Sequence, residues 1–263
     1  MRDTLRDAGL PPGLDEVVEE YEHQVVFATV SGAHLYGFPS ADSDVDLRGC
    51  HLLPLREVVG LRAPRETVSR MWDQGGVEMD LVTHDLAKFA RLLLKRNGYV
   101  LEQLLSPLVV RSSPAHETMA ALAPRLVTRH HAHHYRGFAN TQWGLFTRSG
   151  ELKPLLYTLR VLLTGIHLMR SGEVVAHLPT LAELVPEAPS YVAELIAAKA
   201  SAEHGALGVR DGLPSGERPA ADVAALHAVL EAARDSSALP DTADGRDELD
   251  AVVVETRLAL FRV

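Results

Sequence analysis

Apolar positions fall into two regimes along this chain. Up to about residue 112, short β-branched runs alternate with helical spacing; beyond Ser112-Ser113-Pro114 the spacing is helical throughout. In the first regime, residues 14–23 predict a short amphipathic helix after the Pro11-Pro12-Gly13 breaker. Residues 24–31 (QVVFATVS) predict a buried strand and residues 44–53 (DVDLRGCHLL) a second. Residues 66–72 and 76–83 predict two more, separated by a turn at Asp73-Gln74-Gly75-Gly76. Leu86, Phe89, Ala90 and Leu93 then share one helical face.

In the second regime helices are expected over about 115–148, 152–170, 188–206, 219–234 and 246–261, with 152–169 as a long core helix. Residues 211–220 are expected to form a mobile loop. The pattern predicts an α/β module, residues 1–112, followed by an α-helical domain, residues 113–263.

The 263 residues suit one large domain or two small ones, and 46% hydrophobic with 23% charged residues is ordinary for a soluble globular chain. The start lacks the apolar run of a secretory leader, and no window approaches the roughly 18 apolar residues of a membrane span. Cys50 is the single cysteine, which excludes an internal disulfide and a thiolate-based metal site. A cytoplasmic enzyme or binding protein is expected.

The net charge of −9 argues against indiscriminate nucleic-acid binding, yet the charge is unevenly spread. Residues 118–170 carry seven Lys and Arg against Glu151 alone, between two acidic stretches, and add His130, His131, His133 and His134. Either an anionic ligand lies near this block or it is a solvated helix face.

The chemistry concentrates in residues 31–49. A strand ends in a glycine turn at Gly32, the chain loops over through Gly37, and a second strand opens with Asp44-Val45-Asp46. Strand side chains alternate, so Asp44 and Asp46 point one way while Val45 and Leu47 face the core. Two carboxylates whose Cα atoms are about 7 Å apart can converge on hard cations, which would relieve their mutual repulsion. Gly32 and Gly37 let backbone N–H groups approach a phosphate. The strand at 76–83 offers a third carboxylate: Asp80 is the first choice, and Glu78 shares its face. An isolated Asp-x-Asp is common on surfaces; the combination with Gly32 at a fixed offset and a second acidic strand is far more specific.

This combination resembles the signature of the DNA polymerase beta-like nucleotidyltransferase superfamily. The longer form here, Gly-x-x-x-Tyr-Gly and then Asp-Ser-Asp-x-Asp-x-Arg-Gly, is most similar to its RNA-repair-pathway branch. Phe89, Asn97 and the run Leu101-Glu102-Gln103-Leu104-Leu105 extend the likeness, which continues more weakly through Lys153, Tyr157 and Arg160. The resemblance implies an α/β (α+β) nucleotidyltransferase core with a short mixed sheet, followed by a helical substrate-binding domain. It implies transfer of a nucleoside monophosphate from an NTP to a hydroxyl, using two Mg2+ ions for which Mn2+ can substitute. Asp44, Asp46 and Asp80 would be the catalytic metal ligands. Ser31, Gly32, Ala33, Tyr36, Gly37, Ser43, Arg48, Lys153, Tyr157 and Arg160 would bind the nucleotide, ATP among the candidates. An RNA end, met by the 118–170 block, is the implied acceptor. A protein or small-molecule acceptor, and a non-catalytic nucleotide- or RNA-binding relative, are the alternatives; neither a membrane partner nor a particular oligomeric state is indicated.

Two departures stand out. The family's serine after the first glycine is Ala33, which predicts weaker phosphate binding with the backbone donors intact and Ser31 as the nearest substitute hydroxyl. Asn97-Gly98 replaces the branch's Asn-Pro, which affects a turn.

Other residues have alternative uses. Arg48, two positions after Asp46, either orients a carboxylate in an ion pair or contacts phosphate. Tyr36 covers the nucleotide or packs beneath the loop. Lys153, Tyr157 and Arg160 fall at i, i+4 and i+7, a basic–aromatic–basic stripe expected to clamp triphosphate and base or to pair with acidic residues. His130 and His134 have the spacing of a zinc pair, but Arg129 and Arg136 disfavour a cation there. Cys50 is expected in packing.

Overall fold

A computed structural model describes residues 2–41, 43–200 and 217–259. The chain opens with α1 (Arg2–Asp7) and α2 (Leu14–Glu19), shorter than the expected 14–23 because Glu20 already caps it. Strand β1 (Gln24–Val30) follows, then the one-turn α3 (Gly32–Tyr36), β2 (Val45–Leu52) and α4 (Leu55–Val58). A hairpin of β3 (Thr67–Gln74) and β4 (Val77–Asp85) turns on Gly75 and Gly76, both at positive φ. Helix α5 (Leu86–Leu94) starts where the Asp85 carboxylate accepts the Ala87 N–H, and it buries Leu86, Phe89, Ala90 and Leu93, the face read from the sequence. In α6 (Gly98–Leu104) the side chain of Asn97 caps Tyr99 and Val100, with Gly98 at the first helical position, where proline is also admissible. The edge strand β5 (Val109–Arg111) and α7 (Pro114–Leu126) complete this stretch.

The five strands lie in the order β3-β4-β2-β1-β5. The β2–β4 pairing is parallel and the other three are antiparallel, so the sheet is short and mixed, as expected. Val45, Leu47, Met79 and Leu81 are buried on one face. The other face carries Asp46, Arg48 and Asp80. Phe27 shares it, through its register with Cys50, and packs edge-on to Phe89 of α5 at 5.1 Å and flat on His116 of α7 at 4.4 Å. That face is therefore covered over β1, whereas on β3 Ser69 and Met71 are exposed.

The remaining elements are helical: α8 (His131–Ser149), α9 (Leu152–Ser171), α10 (Leu178–Leu184), α11 (Val192–Ala200), α12 (Glu217–Asp235) and α13 (Arg246–Ala259). The expected single helix over 115–148 is two, α7 and α8, broken where His131 accepts the Thr128 N–H and begins a new helix. Of the expected loop 211–220, residues 217–220 are the first turn of α12; the rest lies outside the described residues. No described helix is long and apolar enough to cross a membrane.

Two compact units emerge. One comprises Met1–Leu35, Ser43–Leu126 and Ala243–Val263; the other comprises Tyr36–Asp42 and Val127–Thr242. In the first, α13 returns to α7 and α5 through ion pairs of Arg125 with Asp244 and Glu248 and of Arg257 with the buried Asp85. In the second, α9 is central, burying Leu155, Leu156, Leu159, Leu162, Leu163 and Ile166.

Candidate active site

Strand register brings the acidic residues together. On the parallel strands β2 and β4, Asp46 and Asp80 are direct partners. Asp44 lies two residues before Asp46, just ahead of the strand, and is partly exposed. Glu78 is exposed and lies opposite Asp73 on β3. Asp80 is thus the carboxylate placed beside the Asp-x-Asp pair.

Arg48 sits between them. Its Nη2 donates to Asp46 Oδ1 at 2.6 Å and to Asp80 Oδ2 at 2.7 Å. Nη1 donates to the carbonyls of Leu47 at 2.9 Å and Asp80 at 2.7 Å, and Nε donates to the Tyr99 hydroxyl at 3.0 Å. A guanidinium has five N–H donors, and five acceptors surround this one. Burial works against its charge, but Tyr99, Asp46 and Asp80 outweigh it and hold the group above its ordinary range. Two half-buried carboxylates side by side would repel; Arg48 is the neutralising charge. Tyr99 escaped the sequence reading, and its place just after the Asn97 cap is the signal that could have found it.

The glycine turn closes on the same group. Gly32 has φ +63°, and the place a Cβ would take there is already filled by Oδ2 of Asp46. The Ser31 N–H donates to the Asp46 carbonyl at 2.8 Å, so the end of β1 and the start of β2 are tied. Ser31 and Ala33 are buried, while Ser43 is half-buried.

The other nucleotide-side expectations fall in the second unit. Arg160 of α9 is buried and lies over Tyr36, its Cζ 3.9 Å from the ring centre. Tyr157 meets Tyr36 and Phe38 edge-on, both at 5.5 Å. Gly37, at φ +80°, lies so near His177 that a Cβ would overlap the imidazole. Lys199 donates to Ser40 Oγ at 2.9 Å. The segment after the glycine turn is thus held by aromatic and cationic side chains of its own unit, with Lys153 exposed on α9.

The basic block is largely paired. Besides Arg125, Arg129 pairs with Asp241, Arg136 with Glu231 and Arg170 with Glu187. His130 contacts Asp241 and stacks on His133, and His131 is buried. His134 is held down to about 4 by burial and by Arg160.

The donor set suits a hard cation. Mg2+ takes one or two carboxylates and completes its shell with substrate phosphates and water. Asp44 and Asp46 have that chemistry, and Asp80 adds a third carboxylate. Among the described residues no three His, Cys, Asp or Glu side chains form a ready metal cluster, and Arg48 contacts two of the carboxylates.

A family model described as the RNA repair pathway DNA polymerase beta family matches residues 11–255. An uncharacterized protein of Methanocaldococcus jannaschii is 34% identical over 154 residues, 56% of this chain and 61% of that protein, so the match leaves more than a third of the relative unspanned. Among solved structures, a nucleotidyltransferase-like protein from Exiguobacterium sibiricum 255-15 aligns over 88% of this chain and 75% of its own, at 13% identity and a TM-score of 0.34.

Proposed function

The chain belongs to the RNA repair pathway DNA polymerase beta family, a family of nucleotidyltransferases, and from that premise we propose that it moves a nucleoside monophosphate from an NTP to a hydroxyl acceptor, releasing pyrophosphate. The observation that carries this reading is the pair Asp46–Asp80 in direct register, with the Gly32 turn closed against Asp46. Family membership points to a metal-dependent transferase, and Asp44, Asp46 and Asp80 are the residues that would hold two Mg2+ ions. Bound there, Mg2+, or Mn2+ in its place, supplies charge neutralisation on the triphosphate and an in-line arrangement of the reacting phosphoryl group.

The chain's own groups do the rest. Backbone N–H groups at Gly32 and Ala33 donate to the β- and γ-phosphates, a role that survives the missing serine hydroxyl. The acceptor oxygen attacks the α-phosphorus as the bond to the β-phosphate oxygen breaks. Asp80 receives the hydroxyl proton on Oδ1, since Arg48 engages Oδ2. Arg48 holds both carboxylates aligned. In the second unit, Tyr157 and Arg160 act by holding Tyr36 and its neighbours in place, and Lys153 is an exposed cation of their helix.

The family's description favours an RNA end as acceptor. A small-molecule or protein acceptor is favoured by the ion pairs that neutralise much of the 118–170 block. The deciding experiment incubates each α-labelled NTP with Mg2+ or Mn2+ and a pool of short RNAs, beside Asp44→Ala/Asp46→Ala. Label on RNA with wild type alone establishes the chemistry and the acceptor; label on protein moves the acceptor. Absence of both transfer and calorimetric NTP binding overturns the enzyme reading.

A further inference from the structure

Met71 is a large apolar side chain left 66% exposed on β3. Single exposed apolar residues are ordinary, and Met71 would be unremarkable but for its register. It is the antiparallel partner of Asp80. Direct partners share a face of the sheet, with Cβ atoms about 5 Å apart. Met71 therefore stands on the side of Asp80 away from Asp46. Its neighbours on that face are Ser69, exposed on β3, and the half-buried Val82, which is the partner of Ser69 on β4. The flanking residues on β3 are otherwise engaged: Arg70 lies over the Trp72 ring at 4.7 Å, and alternation puts both on the opposite face.

The sheet face that bears the carboxylates is thus covered over β1 and open at β3, and the carboxylates mark the boundary. If Asp46 serves the triphosphate and Asp80 the incoming hydroxyl, the acceptor approaches over β3. Resting on that reading of Asp80, we infer that Met71, with Val82 and Ser69, forms the platform for the acceptor, and that its occupant is the nucleobase of the nucleotide bearing the attacking hydroxyl. A thioether packs well against the face or edge of an unsaturated ring. A base and its 3′-hydroxyl are carried by one ribose, so a base seated on Met71 brings that hydroxyl toward the neighbouring Asp80. Ser69 supplies a hydroxyl beside the base edge. An acceptor without a flat ring gains nothing from this surface.

The test uses the full chain, an α-labelled NTP with Mg2+, and two short single-stranded RNAs identical except that one has an abasic 3′-terminal nucleotide. Wild type is expected to favour the RNA with the terminal base by about three- to tenfold in acceptor KM. Met71→Ser should abolish the preference, Met71→Leu should keep most of it, and neither should change the calorimetric Kd for NTP. Equal use of both RNAs by wild type, or a preference that persists in Met71→Ser, overturns the inference while leaving the transferase reading intact. NTP binding without transfer to either RNA overturns it too. Loss of NTP binding and of all transfer in wild type removes the functional reading on which it rests.

Discussion

Oδ2 of Asp46 fills the space beside Gly32 that any other residue would need for its Cβ. The turn and the carboxylate are consequently one object: the backbone proposed to seat the phosphates cannot move sideways without displacing the group proposed to face the metal. Gly32→Ala combines a left-handed backbone, costing about 1–2 kcal/mol, with overpacking of about 1–3 kcal/mol. The expected outcome is a folded but less stable protein with NTP binding weakened more than tenfold, read by thermal melts and calorimetry. Unchanged NTP affinity would remove the turn from the site.

Arg48 joins two carboxylates that would otherwise repel. Arg48→Met removes the cation that both half-buried carboxylates, Asp46 and Asp80, contact, a loss of about 3 kcal/mol. Because a divalent cation can take over the neutralising role, Mg2+ should raise the melting temperature of Arg48→Met more than that of wild type. Equal Mg2+ shifts in the two proteins would show that the carboxylates do not share a cation.

Tyr99→Phe removes one acceptor from that guanidinium, leaving the others. A loss of about 1 kcal/mol in stability is expected, with a fall in turnover number and little change in NTP affinity. A change confined to NTP affinity would place Tyr99 on the nucleotide rather than behind Arg48.

Several buried or half-buried histidines bias stability against acid, His51 and His134 the most. His51, fully buried, hydrogen-bonds Thr83 and stacks on His23 at 4.8 Å; burial, then the charge of His23, lower it to about 4. His134 is lowered to a similar value. The unfolded chain, with imidazoles near 6.5, binds more protons than the folded one between those values, so stability rises with pH across that window. It is fully present above about 6.5 and lost as pH falls toward 4. Urea unfolding at pH 5 and 7.5 should show this slope, and His51→Gln should flatten it; an unchanged slope would rule His51 out as a source.

The contact of Arg160 with Tyr36 is a desolvated cation–π pair. A double-mutant cycle with Arg160→Met and Tyr36→Leu should give a coupling of about 1–2 kcal/mol in unfolding free energy. A coupling near zero would mean that the two side chains only share a neighbourhood.

The first four strands, the face of α5 and the strand face that Asp46 and Asp80 share were legible because each follows from a local period of two or 3.6, whereas the short β5 was not foreseen. What lay out of reach is long-range. Nothing local announces that β2 and β4 run parallel, yet that pairing alone sets Asp46 opposite Asp80. The 118–170 block was read either as an anion site or as a solvated face; which of its cations are paired depends on Asp241, Asp244, Glu231 and Glu248, about a hundred residues downstream. Arg48 was read as either an ion-pairing or a phosphate residue; the five-acceptor nest around it depends on Tyr99, which the strand pattern could not place.

Asp85 is buried, caps α5, accepts the Leu53 N–H and pairs with Arg257, 172 residues further on. A ribosome adding about 5–20 residues each second takes roughly 10–35 s to cover that distance. For that interval the nascent first unit holds a carboxylate whose cation has not yet been made. The first unit is therefore expected to reach its full stability only after Arg257 has been made, and a truncation that stops before Arg257 should unfold more easily than the full chain.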